Sequence, residues 1–124
     1  MTHTGVSGVH PHWRNLDDEQ LRAVAKTGGV VGIMYHVPYL GDPIWAGRVE
    51  TIVRHLEHVR DVAGDDVPAL GSDWDGAIVT PRDMPTCLEL PRLVEAMLTR
   101  GWQPEAVKKT LGGNFLRALR DMRG

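Results

Sequence analysis

The sequence holds a single cysteine, Cys87, among its 124 residues. That excludes an intramolecular disulfide framework and fits a reducing compartment. Charge of one sign is also missing. Lys and Arg number 14 against 16 Asp and Glu, a formal net charge of −2. Such a balance leaves no electrostatic footprint for nucleic acid or for an anionic membrane surface. The longest apolar run, Val30 to Tyr35, falls far short of the roughly 20 residues that span a bilayer. The opening Met-Thr-His-Thr-Gly has neither a basic nor an apolar leader region, so the expected location is cytoplasmic. Several chemical signatures are absent too. Gly28, Gly29 and Gly32 make no Gly-x-Gly-x-x-Gly loop and no Walker lysine follows. There is no Gly-x-Ser-x-Gly elbow. Asp73 and Asp75 lack the later ligands and the closing Glu of an EF-hand. Cys87 reads as a small packing residue.

What is present is an ordinary globular composition, 42% hydrophobic and 24% charged. It suits one domain over residues 1–124 with a core of useful size. Asp17 and Gln20 have capping-box spacing, and Leu16 and Leu21 occupy staple positions. They predict a helix that Gly28 and Gly29 stop. Val30 to Met34 reads as a strand buried on both faces, and a loop with Pro38, Gly41, Asp42 and Pro43 follows. Val49, Ile52, Val53, Leu56, Val59 and Ala63 form the apolar stripe of a helix from about Arg48 to Ala63. His55 and His58 are expected on its wet side. Val67 to Ser72 is a second strand, with Pro68 at its start because proline cannot donate to a ladder. Three helices are expected after it: Pro91 to Arg100, Pro104 to Leu111, and Asn114 to Met122. The last of these has Phe115, Leu116, Leu119 and Met122 as its inner face. Buried strands separated by helices imply an α/β chain with parallel pairing. Two such strands need more structure to cover their edges.

In α/β proteins chemistry gathers at the C-terminal ends of the strands. His36 follows the first strand, where it reads equally as pocket lining or loop packing. Ser72-Asp73-Trp74-Asp75-Gly76 follows the second. Two carboxylates beside a glycine suit a metal or a base, or simply a turn. His3, His10 and His12 crowd the N-terminus, and His10 and His12 read as a polar arm. Arg14 offers either a bidentate clamp for a carboxylate or a partner for Asp17 or Asp18.

Taken together, six segments in order resemble the membrane (renal) dipeptidase family of zinc dipeptidases. They are Thr2-His3-Thr4, Arg14-Asn15-Leu16, Gly28 to Ile33, His55-Leu56-Glu57-His58-Val59, Gly71 to Gly76, and Gly112 to Arg117. The resemblance implies the last strands and terminal helices of a (β/α)8 TIM barrel of the amidohydrolase type, whose complete form takes about 250 residues. It also implies a dipeptide substrate and a two-zinc site. By the same resemblance His3 is a zinc ligand, Asp73 the catalytic proton acceptor, and Arg14 the holder of the substrate carboxylate; Asp75, a family-typical neighbour, and His36, from its strand-end position, are further candidates for substrate binding. The family's His-x-Asp motif and bridging glutamate are not in this sequence, which leaves one zinc ligand where a catalytic site needs three or four. The alternatives to a dipeptidase chain are a non-catalytic interaction module and half of a split enzyme. A homo-oligomer, or a separate N-terminal barrel half, would cover the open edges.

Overall fold

The structure is a computed structural model that describes residues 1–124. Helix α1 (Asp18–Lys26) starts on the expected capping box. The Asp17 carboxylate accepts from Gln20 N–H at 2.8 Å, and the Gln20 side chain accepts from Asp17 N–H at 3.0 Å. Two orphan donors of the first turn are thereby satisfied. Strand β1 (Val31–Ile33) follows, then a four-residue helix α2 (Val37–Leu40), then the long helix α3 (Val49–Ala63) and strand β2 (Pro68–Leu70). A short 3-10 turn (Cys87–Glu89) leads into α4 (Leu90–Thr99), α5 (Pro104–Lys108) and, past a wide turn over Lys109–Gly113, α6 (Asn114–Arg123).

Strands β1 and β2 pair in parallel, with Val31 opposite Pro68 and Ile33 opposite Leu70. Pro68 stands first in its strand, as expected. The regular pairing is shorter than the sequence suggested. Bonds from Gly71 N–H to Ile33 O and from Tyr35 N–H to Ser72 O carry it on less evenly. The other edge of β1 is also occupied. Thr4 bridges Ile33 in parallel, and the Met1 ammonium donates to the Val30 carbonyl at 2.9 Å. Residues 1–4 thus act as a third strand. The Thr2 carbonyl fills the space where a side chain at Gly32 or Gly71 would stand, so both positions accept only glycine.

Val31 and Ile33 join Ile52, Val53, Leu56 and Val59 of α3 in one core cluster. His55 corrects the sequence reading: it is fully buried, not solvated. It lies three residues after Ile52 and four before Val59, which places it on the apolar stripe whatever its polarity. His58 is half-buried, with Nε2 2.7 Å from an Asp18 oxygen. Helix α6 is a second correction. It buries Asn114 and Ala118 and leaves Phe115, Leu116 and Met122 50%, 52% and 77% exposed. The cause is Asn114, whose Nδ2 donates to Asp65 O at 2.8 Å and Pro68 O at 2.9 Å and so sets the helix's rotation. Cys87 is exposed rather than packed. Gly32, Leu70, Phe115 and Met122 line an apolar cavity of about 480 Å³. No helix is long and apolar enough to cross a membrane.

Candidate active site at the strand ends

Thr4, Ile33 and Leu70 stand level across the three strands. His3 lies one residue before that rung, while His36 and Asp73 each lie three residues beyond it. All three therefore come to the C-terminal end of the sheet. The apolar cavity is at the other end, bordered by Thr27 to Val30 where the chain enters β1, and none of the chemistry-bearing side chains lines it.

Tyr39, which the sequence reading passed over, is the centre of the arrangement. Its ring centroid is 4.5 Å from that of His36 and 4.5 Å from that of His12, and the Arg14 guanidinium carbon is 5.9 Å from it. His12 is thus packed, not part of a free arm, and its Nδ1 accepts from Arg14 N–H at 3.2 Å. Arg14 makes no ion pair with Asp17 or Asp18; Asp18 faces Arg22 and His58 instead. A short helix with Pro38 in its first turn and Gly41 in the left-handed conformation (φ 96°) presents Tyr39. That proline–glycine bracket was the available signal.

His36 Nδ1 accepts from Val79 N–H at 3.0 Å, which leaves Nε2 to carry the proton of the neutral ring. Partial burial pulls its pKa below the ordinary histidine value. The nearby Asp73 charge pulls it partly back, and His12 adds to the fall. Asp73 sits at φ 61°, where few residues other than glycine rest. Its carbonyl accepts from Gly76 N–H at 2.9 Å, and its carboxylate lies over Gly76 with no room for a Cβ between. Asp75 is exposed on the same turn. The structure therefore gathers Arg14, Tyr39, His36 and Asp73 into one chain of neighbours. His3, at the same end of the sheet, has its Nδ1 2.9 Å from the Thr2 hydroxyl.

A model of the membrane dipeptidase family, peptidase family M19, matches residues 1–123. The chain belongs to the membrane dipeptidase family. An uncharacterized Klebsiella pneumoniae protein from the pqqA 5′ region is 36% identical over 98% of the chain, which covers 45% of that protein. Mouse dipeptidase 3 is 29% identical over 98% of the chain, which covers 24% of it. A Rhodobacter sphaeroides metallo peptidase, solved with a phosphinate mimic of the dipeptide L-Ala-D-Ala, superposes with a TM-score of 0.88 at 30% identity. There 96% of this chain covers 34% of that one. The chain spans less than half the length of these relatives, and its fold is a part of the family's (β/α)8 barrel. Family membership implies a metal cofactor. The residues here do not complete a site for one: no three His, Cys, Asp or Glu side chains come together, and His3 offers a single imidazole against the three protein ligands of a catalytic zinc.

Proposed function

We propose that this chain is the substrate-holding and proton-handling part of a dipeptidase that hydrolyses the peptide bond of dipeptides, with zinc as the family metal and His3 as one of its ligands. The observation that carries the reading is the packing of Arg14 and His36 on the Tyr39 ring, with the Asp73 charge acting on His36. A guanidinium held over an aromatic face can pair with the free carboxylate of a dipeptide. A longer peptide would bring its carboxylate elsewhere, which limits the substrate length. Asp73 takes a proton from the attacking water and returns it to the leaving amine. His36, with its Nε2 proton available, can donate to a substrate oxygen. The remaining metal ligands must come from structure outside residues 1–124, so the chain by itself is expected to bind no stoichiometric zinc and to turn nothing over.

The reading is tested by a chimera in which residues 1–124 replace the matching part of the Rhodobacter metallo peptidase. We expect dipeptide hydrolysis that a chelator abolishes. Asp73→Asn should lower kcat by about 10²–10⁴-fold. Arg14→Met should lower kcat/KM by about 10- to 150-fold, equivalent to the roughly 1.5–3 kcal/mol of a charged hydrogen bond. A folded, zinc-loaded chimera with no turnover would sink the proposal. A second reading, half of a split enzyme, is favoured by two observations: β2 has no strand on its outer side, and the apolar residues Phe115, Leu116 and Met122 of α6 are exposed.

A further inference from the structure

Buried polar side chains are few here, and three of them meet in one place. Thr4 and His55 are wholly buried and Asn15 nearly so. They stitch together the exit of the N-terminal strand, the loop that carries Arg14, and helix α2. The Thr4 hydroxyl lies 3.1 Å from the Arg14 carbonyl. Asn15 uses both amide hydrogens, donating to His10 O at 2.9 Å and Tyr39 O at 2.8 Å. Gly5 leaves room for that amide, since a Cβ there would overlap Asn15. His55 accepts at Nδ1 from Val6 N–H at 3.0 Å. An imidazole that accepts at one nitrogen carries its proton on the other, so Nε2–H donates to Leu40 O, 3.0 Å away. Burial keeps the ring neutral, with a pKa pushed down to about 4.

We propose that Asn15 and the neutral, Nε2-protonated His55 are positioning residues. Together they clamp the consecutive carbonyls of Tyr39 and Leu40 and so fix the Tyr39 ring under Arg14 and against His12 and His36. The geometry favours this over a general packing role. Two side chains from different elements grip adjacent carbonyls of a four-residue helix too short to hold itself, and the gripped residue is the one on which the candidate site converges. What Arg14 does there rests on the dipeptidase reading. The clamp does not, and its test needs neither metal nor substrate.

The test is NMR on the purified chain. In the wild type at neutral pH, His55 should show an unprotonated-type ¹⁵N signal at Nδ1 and a protonated-type signal at Nε2. The wild type should also show cross-peaks between the rings of Tyr39 and His12. Asn15→Asp, the same shape without the donors, should lose those ring contacts, and so should His55→Leu. His55→Gln, whose amide can still donate to the Leu40 carbonyl, should keep them. Asn114→Ala, which loosens α6 far from the clamp, should leave them intact and so controls for general loosening. A charged or Nδ1-protonated His55 overturns the proposal. So does retention of the Tyr39–His12 contacts in Asn15→Asp, or their equal loss in Asn114→Ala. If His55→Leu does not fold, the wild-type tautomer and Asn15→Asp still decide the matter.

Discussion

A single buried imidazole makes the stability of this chain depend on pH. His55 has a folded pKa of about 4 against an ordinary 6.5, because burial penalises its charged form. Between those values the unfolded chain takes up a proton that the folded chain refuses. The contribution is therefore complete above about pH 6.5 and is lost as pH falls toward 4, roughly 3 kcal/mol in all. Glu57 acts in a lower window. Burial raises its pKa, but bonds from Arg100 and Trp102 bring it below the ordinary 4.5, so its contribution is lost only as pH falls below that value. Denaturant melts at pH 7 and pH 4.5 should show a marked loss for the wild type and a much smaller one for His55→Gln. Equal slopes in the two proteins would refute the assignment.

Among the elements, α6 depends most on one side chain. Asn114→Ala leaves the Pro68 and Asp65 carbonyls without their donor and should cost about 1–3 kcal/mol, read as a lowered midpoint in thermal melts. The same helix shows where sequence reasoning runs out. Hydrophobic periodicity chose Phe115, Leu116, Leu119 and Met122 as the inner face, because it weighs transfer from water and has no term for two carbonyls waiting at the start of β2. Periodicity succeeded for α1, where the capping box agrees with it, and for the apolar stripe of α3. It failed at His55, where residue type outvoted helical position. Helix α2 is too short to have a period, so Tyr39 and the packing of His12 around it stayed hidden. Asp73 and His36 were legible as strand-end residues and Arg14 as a candidate carboxylate clamp, yet only the family resemblance gave Arg14 and Asp73 settled roles. The pairing of residues 1–4 with β1 was not legible, since four residues carry too little pattern.

The molecule as a whole is a barrel segment with three parallel strands and an uncovered flank. On that flank β2 has no strand on its outer side, where Asn114 holds the Pro68 carbonyl, and an apolar cavity of about 480 Å³ opens between the sheet and α6. Exposed apolar surface beside an edge with no neighbouring strand favours association. The isolated chain should therefore show a sedimentation coefficient that rises with concentration. Phe115→Ser combined with Met122→Ser should move it toward the monomer value. A wild type that stays monomeric at every concentration would count against this. The Asp73 turn has a consequence for any mutational scan of such a molecule. Most side chains placed at φ 61° carry a local backbone penalty of roughly 1–2 kcal/mol that asparagine and glycine largely escape. An alanine or valine there merges a deformed loop with a missing carboxylate. Asparagine and glycine keep the bend while deleting the base, and asparagine also keeps the size of the side chain, so it reports most directly on chemistry.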